Sequence, residues 1–189
     1  MSRGNAATTT YWHEIDTPIG AVLLAGNSWA LSSVGFQAGP RAMRPQPHWV
    51  RSAAPFTAVV TQLAAYFAGS LREFQLALAP RGTQFQLAVW DALRRIPYGA
   101  TLSYGELARQ LGHPQGARAV GLANGANPLP VIVPCHRVIG ADGSLTGFGG
   151  GLPIKRTLLA LEGASCVADL FSSGRAAMTP VQARESSRE

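Results

Sequence analysis

Short apolar runs separated by turn residues fill the first part of the chain. Two turn signals, Thr17-Pro18-Ile19-Gly20 and Gly26-Asn27-Ser28, interrupt apolar segments of strand length. Proline, glycine and asparagine at such positions are typical of turns, so the pattern predicts short strands from Tyr11 to Phe36. Residues 37–54 contain three prolines and three arginines, which predicts a loop.

A helix and a further strand are predicted to complete this half. Apolar side chains recur at helical spacing from Pro55 to Ala68, and Gly69 ends the segment. The alternation expected of a strand follows at Phe74, Leu76 and Leu78. Residues 11–80 are therefore predicted to form a small α/β domain without a chemical motif, preceded by a disordered leader at residues 1–10.

Helix signals begin after a predicted boundary at Pro80-Arg81-Gly82. Thr83 and Gln86 have the spacing of a capping box, which predicts a helix running to about Arg95. A last helix is predicted from Pro153 to Gly163, with Ile154, Leu158 and Leu161 turned inward and Lys155 and Arg156 turned outward. The second domain thus covers residues 81–163. Residues 164–189 are rich in Ser, Ala and Arg and predict a flexible tail, in which Cys166 has no assigned role.

Two short helices lie between these. Ser103 and Glu106 form a second capping box, and residues 117–126 predict another helix after a turn that contains glycine. This spacing is typical of a helix-turn-helix, although an αα-corner in an ordinary core has the same pattern. The second helix is narrow, with small side chains and Arg118 near its start, and such a helix can approach a DNA backbone or enter a narrow groove.

Composition narrows the class of protein. The 189 residues are 47% hydrophobic and 14% charged, which is enough apolar material for a core, and the longest apolar runs are too short to span a bilayer. The start of the chain lacks the apolar region of a signal peptide, so a cytoplasmic protein is expected. The net charge of +6 is compatible with a polyanionic partner.

The most reactive-looking stretch is Pro134-Cys135-His136-Arg137. A thiolate is the nucleophilic form of cysteine, and a neighbouring cation or imidazole lowers the thiol pKa. The apolar run before Pro134 predicts a partly buried setting, which raises that pKa, so His136 or Arg137 must overcome burial if Cys135 is reactive. A buried structural cysteine is the alternative.

Several uncommon segments occur in one order, and together they resemble those of the O6-alkylguanine-DNA alkyltransferases. The resemblance is dense over residues 83–163 and limited to the layout of elements over residues 11–80. It rests on Ser103-Tyr104-Gly105, Arg118-Ala119-Val120-Gly121, Asn127-Pro128, Pro134-Cys135-His136-Arg137-Val138-Ile139-Gly140, Thr146-Gly147-Phe148-Gly149-Gly150 and Leu161-Glu162-Gly163.

The resemblance implies catalytic roles. Cys135 matches the alkyl acceptor, and His136 matches the base that takes the thiol proton through a water. Glu162 matches the acid that orients this histidine, which completes a nucleophile, base and orienting group. Asn127 matches the hinge asparagine between the recognition helix and the active-site strand.

It also implies contacts to DNA and to the lesion. Arg118 matches an arginine finger that fills the space left by a flipped base, and Tyr104 matches the residue that crowds the 3′ phosphate. Ser103, Ala119 and Gly121 belong to the same DNA-contacting segments. In the substrate pocket, the carbonyls of Cys135 and Val138 would read the guanine edge, and Phe148 matches a wall position. Gly149 departs from members with a serine that bonds the lesion oxygen, which leaves that contact to another group.

For the whole molecule, the resemblance implies a ribonuclease H-like α/β domain followed by a mainly α domain with a winged-helix-like helix-turn-helix. The implied function is irreversible transfer of an alkyl group from O6-alkylguanine, and from O4-alkylthymine, to the protein's own cysteine. The implied partner is double-stranded DNA, bound in the minor groove by a monomer that can act cooperatively. No cofactor, membrane or metal is expected, and the cysteines of a zinc site found in some members are absent.

Two other functions fit parts of the sequence. A Cys-His hydrolase acting on acyl substrates would use the same pair, but it needs an oxyanion hole and leaves the helix-turn-helix without a purpose. A non-catalytic protein that binds alkyl lesions, or a DNA-binding regulator, would use the helix-turn-helix, but such proteins lack the acceptor that Cys135 provides.

Overall fold

The structure is a computed structural model that describes residues 9–38 and 42–164. Apart from residues 9, 10 and 164, the predicted leader and tail lie outside the described residues, as does Cys166. In the described ranges, no helix is both long and apolar enough to cross a membrane.

The first half contains a four-stranded sheet in the order β3-β2-β1-β4. Its strands are β1 (Tyr11–Ile15), β2 (Val22–Gly26), β3 (Leu31–Phe36) and β4 (Val50–Arg51). The first three strands pair antiparallel, and β4 pairs parallel with β1. The predicted strands of residues 11–36 are confirmed, whereas the prediction of an unbroken loop over residues 37–54 missed β4.

The predicted strand at Phe74, Leu76 and Leu78 is wrong, because this segment makes a single bridge, between Leu78 and Leu31. Leu31 donates its N–H to the carbonyl of Ala77 at 2.9 Å and accepts one from Ala79 at 2.8 Å. Further along β3, the N–H of Val34 donates instead to the carbonyl of Pro128 at 2.8 Å. The second half of the chain thus occupies the edge that a longer strand would need.

Helix α1 (Thr57–Phe67) follows a 3₁₀ turn at Ala54–Phe56 and confirms the predicted helix. It buries Val59, Leu63 and Tyr66. Gly69 takes a positive φ of 72° just after it, a conformation that glycine adopts without steric cost.

The second half is built from α2 (Gln84–Arg94), α3 (Tyr104–Gln110), α4 (Ala117–Gly125) and α5 (Leu152–Leu161). Both predicted capping boxes are present, at Thr83 and at Ser103. Helices α3 and α4, joined by a short turn, confirm the helix-turn-helix. A small parallel sheet of β5 (Leu102–Ser103) and β6 (Val138–Ile139) lies beside it.

One apolar cluster joins both halves and fixes the position of α4. Val34 and Tyr66 from the first half belong to the same cluster as Val120 and Leu158 from the second. The indole N–H of Trp90 on α2 donates to the carbonyl of Ala123 on α4 at 2.8 Å. One face of α4 is therefore packed against the apolar cluster and α2, and its opposite face is exposed to solvent.

The prediction that Lys155 points outward from α5 is wrong, since its side chain is fully buried. Arg156, the next residue, is exposed as predicted. The reason is hydrogen bonding: the Lys155 ammonium donates to the backbone carbonyls of the buried Val138 and of Thr146, which compensates for its burial.

Candidate active site and DNA-binding face

Cys135 opens a 3₁₀ turn, Cys135–Arg137, that leads directly into β6. The residue is only 4% exposed, so it is more deeply buried than the sequence predicts. Burial raises the pKa of the Cys135 thiol to about 11, while the Asn127 side chain and the charge of Lys155 act in the opposite direction. The sequence pointed to His136 and Arg137 as the groups that lower this pKa, and the structure gives that part to Asn127 and Lys155 instead.

His136 and Glu162 form a buried pair. Nε2 of His136 lies 2.9 Å from Oε1 of Glu162, and both side chains are inaccessible to solvent. Burial lowers the pKa of His136 despite its contact with Glu162, which favours the neutral imidazole. In the described part of the chain its Nδ1 is buried and has no hydrogen-bond partner. With Nε2 donating to the carboxylate, Nδ1 carries a lone pair and can accept a proton.

The Glu162 carboxylate accepts hydrogen bonds from four residues. Oε1 receives the Tyr66 hydroxyl at 2.8 Å and Nη2 of Arg137 at 2.9 Å in addition to His136, while Oε2 receives Nε of Arg137 at 2.8 Å and the N–H of Gly99 at 3.2 Å. Burial opposes ionisation of this group, but the bonds from His136 and Arg137 prevail and hold the pKa of Glu162 well below its usual range. Glu162 is therefore a fixed anion beside the histidine.

Arg137 serves Glu162 rather than the thiol. Besides its two bonds to that carboxylate, its Nη1 donates to the carbonyl of Ile96 at 2.6 Å, and its guanidinium lies 5.8 Å from the ring centre of Tyr98. These contacts leave it only 6% exposed. A planar guanidinium matches a carboxylate in this two-bond geometry, so Arg137 fixes the plane of Glu162.

Lys155 ties three segments together. Its Nζ donates to the carbonyl of Val138 at 2.6 Å and to the carbonyl of Thr146 at 2.8 Å. The bonds connect α5 with the strand that follows Cys135 and with the glycine-rich loop. Sequence reasoning considered Arg137 only as a neighbour that could lower the thiol pKa, and it did not select Lys155, Tyr66 or Asn124 as site residues.

Asn127 and Asn124 brace the backbone around Cys135. Nδ2 of Asn127 donates to the carbonyl of Val133 at 2.8 Å, and its Oδ1 accepts from Leu129 at 3.0 Å. Within this span Val131 has a φ of 76°, which a β-branched residue adopts only when its surroundings enforce it. Nδ2 of the buried Asn124 donates to the carbonyl of Cys135 at 3.3 Å. Asn127 thus connects the end of α4 with the backbone that leads to Cys135.

Two neighbouring cavities share Gly125 and Gly149. One, of about 310 Å³, reaches Cys135 and is lined also by Asn127, by Met43 and by residues of β3. The other, of about 620 Å³, lies beside the exposed side of α4 and brings together several predicted residues: Tyr104, Gly121, Phe148 and Gly149. A Cβ at Gly149 would meet nothing within 4 Å, so a serine has room there.

The exposed face of α4 is narrow, as predicted. Arg118 and Ala119 are exposed near its start, and Gly121 lies 3.7 Å from the Tyr104 ring, measured from where its Cβ would be. Leu122, which sequence reasoning did not select, is 71% exposed on the same face. Ser103 caps α3 through Glu106, and neither it nor Arg118 lines the two cavities.

The remaining pocket residues lie at the edges of this arrangement. The Tyr104 hydroxyl points to the carbonyl of Thr146 at 3.5 Å, and burial raises its pKa, so it remains a phenol. Phe148 packs edge-on against Phe36 of β3, with ring centres 5.7 Å apart. Val138 is fully buried. Among the described residues no group of three or more His, Cys, Asp or Glu side chains could hold a metal ion.

Sequence models of one family cover most of the chain. The DNA binding domain of 6-O-methylguanine DNA methyltransferase matches residues 84–164, and the ribonuclease-like domain of the same family matches residues 10–80. A methylated-DNA–protein-cysteine methyltransferase of Methanosarcina acetivorans is 51% identical over 82% of this chain and 99% of that protein. One of Mycobacterium tuberculosis is 52% identical over 85% of this chain and 96% of that protein.

Solved structures of proteins from the same family align with this chain. The Mycobacterium tuberculosis OGT in complex with DNA aligns with a TM-score of 0.76 at 51% identity, covering 85% of this chain and 99% of that one. The O6-methylguanine-DNA methyltransferase of Pyrococcus kodakaraensis aligns with a TM-score of 0.54 at 24% identity, over 82% of this chain and all of that one, and shows the shared fold.

Proposed function

The chain belongs to the 6-O-methylguanine DNA methyltransferase family, and on that premise we propose which of its residues repair alkylated DNA, and how. The protein is a methylated-DNA–protein-cysteine methyltransferase that reverses damage by moving the alkyl group from O6 of guanine to its own cysteine. We assign the acceptor to Cys135. The observation that carries this assignment is a buried His136–Glu162 pair that directly follows a thiol lining a cavity.

The pKa of Cys135 decides how transfer must proceed. With a pKa of about 11, roughly one thiol in ten thousand is ionised at pH 7, so a preformed thiolate is rare. Deprotonation therefore accompanies attack: Nδ1 of His136 takes the proton, directly or through a water, as sulfur approaches the alkyl carbon. The bond from sulfur to the alkyl carbon forms as the bond between that carbon and O6 breaks. The electron pair of the broken bond stays on guanine, and the proton taken from the thiol is finally passed to guanine. Glu162 stabilises the intervening imidazolium.

The target base has to leave the helix, because an in-line attack on its alkyl group is impossible inside the base stack. We propose that α4 lies in the minor groove and that Arg118 fills the space of the extruded base. Tyr104 crowds the 3′ phosphate, while Ser103, Ala119 and Gly121 allow close approach of the backbone. The exposed Leu122 adds an apolar contact to this face.

The extruded base enters through the cavity beside α4, and its alkyl group reaches the adjoining cavity that Cys135 lines. Phe148 forms a wall of the cavity beside α4, and the carbonyls of Cys135 and Val138 accept hydrogen bonds from the guanine edge. Val138 already accepts from Lys155, but a carbonyl oxygen has two lone pairs and can accept both bonds. At Gly149 a backbone N–H takes the part of the serine found in some relatives. O4-alkylthymine is the proposed second substrate.

We further propose a monomer in solution that binds double-stranded DNA, with cooperativity as a property of the DNA complex. The cytoplasm is the proposed compartment, where reducing conditions keep Cys135 a thiol. A non-catalytic lesion binder would need neither an acceptor thiol nor a buried base beside it, and both groups are present here.

The Cys135→Ser variant tests the assignment. Transfer from a duplex that contains O6-methylguanine should be abolished, while DNA affinity should be retained because α4 and its phosphate contacts are unchanged. Methyl transfer is measured by peptide mass spectrometry, and binding by fluorescence anisotropy. Cys166→Ser is the matched control and should transfer normally, since Cys135 is the only other thiol in the chain. Transfer by the Cys135→Ser protein would place the acceptor elsewhere.

A further inference from the structure

One of the donors to Glu162 comes from the other half of the molecule. Tyr66 lies in the last turn of α1, and its hydroxyl donates to Oε1 of Glu162 at 2.8 Å across 96 positions of sequence. The same oxygen contacts Nε2 of His136 at 2.9 Å. A tyrosine of the N-terminal domain and the proposed base therefore share one acceptor atom.

The Tyr66 ring has little freedom to release this bond. It is fully buried and lies against Phe67, Phe74 and Tyr98, with ring centres 5.3, 5.3 and 6.1 Å away. Burial, reinforced by the neighbouring Glu162, raises the pKa of Tyr66, so its hydroxyl keeps its proton and remains a donor across the pH range in which the protein works.

We infer that Tyr66 is a positioning residue for alkyl transfer: its hydroxyl orients the Glu162 carboxylate and limits how strongly that carboxylate holds a proton on His136. The inference rests on the proposed role of His136 as the base. A carboxylate oxygen that already accepts from a phenol has less electron density to offer an imidazolium. With the Tyr66 hydroxyl in place, His136 therefore stays neutral down to a lower pH than it would without that hydroxyl. A neutral His136 can accept the thiol proton.

Other charged or titratable groups also act on this pair. Arg137 bonds both Glu162 oxygens, and Lys155 acts on His136 through its charge. Cys135 precedes the histidine, and Tyr98 lies beside both Tyr66 and Arg137. All four residues remain in a Tyr66→Phe variant, which keeps the ring and removes a single hydroxyl.

The test is the pH profile of transfer from free O6-benzylguanine, which needs no DNA. In Tyr66→Phe, Glu162 holds the proton on His136 more tightly, so the acid limb of the profile should move to higher pH. The expected shift is about one unit, the amount that corresponds to one modest hydrogen bond to a charged group. An acid limb that stays in place would overturn the inference.

Tyr98→Phe is the matched control. It also removes a tyrosine hydroxyl from the same aromatic group, but that hydroxyl donates to the backbone carbonyl of Leu161 at 3.0 Å and not to Glu162. Thermal stability should fall in both variants, whereas the acid limb should move only in Tyr66→Phe. Equal shifts in the two variants would mean that general loosening, and not the bond to Glu162, moves the profile.

A second variant covers the case in which Tyr66→Phe does not fold. Site-specific replacement of Tyr66 by a fluorinated tyrosine keeps the hydroxyl and makes it a stronger donor, so the acid limb should move to lower pH. A shift to higher pH, or none, would contradict the inference.

If the unaltered protein transferred nothing from O6-benzylguanine or from alkylated DNA, the proposed function itself would fail. Transfer with an unmoved acid limb would defeat only the role of Tyr66.

Discussion

In the proposed mechanism, Cys135 rests as a thiol and loses its proton only when the alkylated base is in place. Burial keeps its pKa at about 11, and Asn127 and Lys155 offset only part of that effect. Oxidation and stray alkylation of cysteine follow thiolate character and exposure, and both are low here. A protein that uses its acceptor once gains from this arrangement, because the thiol is protected until a base fills the neighbouring cavity.

Lys155 should be necessary for both stability and transfer. Lys155→Met keeps most of the side-chain volume but leaves the carbonyls of Val138 and Thr146 without this donor. The carbonyl of Val138 is buried, and leaving it unpaired should lower the free energy of unfolding by about 1–3 kcal/mol. The carbonyl of the exposed Thr146 costs less to free, because it can bond to water and is within reach of the Tyr104 hydroxyl. The transfer rate should fall as well, because the loop and the strand after Cys135 lose their connection. Urea unfolding and a single-turnover assay measure the two effects.

Arg156→Met is the control for this variant. Arg156 is the neighbouring basic residue on α5 and is exposed, so its loss should change the free energy of unfolding by less than about 0.5 kcal/mol. Equal destabilisation by the two variants would contradict the structural role given to Lys155.

For individual residues, the sequence predicted the reactive pair but not the side chains that hold it in place. Cys135 and His136 are adjacent and carry their own signal, whereas Tyr66 and Glu162 meet across 96 positions that no local pattern connects. Lys155 was placed outside because of its charge alone. A signal was nevertheless present, since Leu159 and Glu162 lie four and seven positions further along, on the same buried side.

Among the elements, α4 is distinguished by the small number of long side chains on its exposed face. Its outward face carries Arg118, Ala119 and Leu122, and no other long side chain comes between the arginine and the leucine. Packing on the inner face and the bond from Trp90 to Ala123 hold this smooth surface outward. The helix can therefore approach DNA closely while one side chain extends further.

Arg118→Ala should slow repair of duplex lesions much more than reaction with free O6-benzylguanine. Extruding a base costs a few kcal/mol, and losing the group that fills its place should slow duplex repair about tenfold or more. Free O6-benzylguanine needs no extrusion, so the rate of transfer from it should stay within about twofold of the rate of the unaltered protein. Single-turnover rates on the two substrates measure the difference.

Arg94→Ala controls for lost charge. Arg94 is exposed at the end of α2 and lines a cavity other than the two that share Gly125 and Gly149, so its removal should change neither rate by much. Similar slowing of both substrates in Arg118→Ala would point to a distorted α4 and not to a lost base-extrusion contact.

Elements were predictable where local chemistry specifies them. The capping boxes at Thr83 and Ser103 placed the starts of α2 and α3 correctly. The two-residue strand Val50–Arg51 was missed because it exists only through its parallel pairing with β1. The predicted strand near Leu78 failed for the converse reason: its partner edge is bonded to Pro128.

In the whole molecule, residues from both halves of the chain surround the proposed active site. The resemblance is dense only over residues 83–163, yet the cavity beside Cys135 is lined by Val34 and Phe36 of β3 as well as by Asn127. Tyr66 adds a hydrogen bond from the same side. The α/β domain has no chemical motif in its sequence because it contributes walls and orientation, which packing determines and short patterns do not reveal.

Each chain should act only once, because the product of transfer is a thioether, and a thioether is a poor leaving group. The most direct test is to incubate the protein with excess duplex that carries labelled O6-methylguanine, until transfer stops, and to count methyl groups per chain. We expect a plateau of one methyl per chain, found on the peptide that contains Cys135, with no further transfer when fresh duplex is added. More than one lesion repaired per chain, or label on a peptide without Cys135, would contradict it.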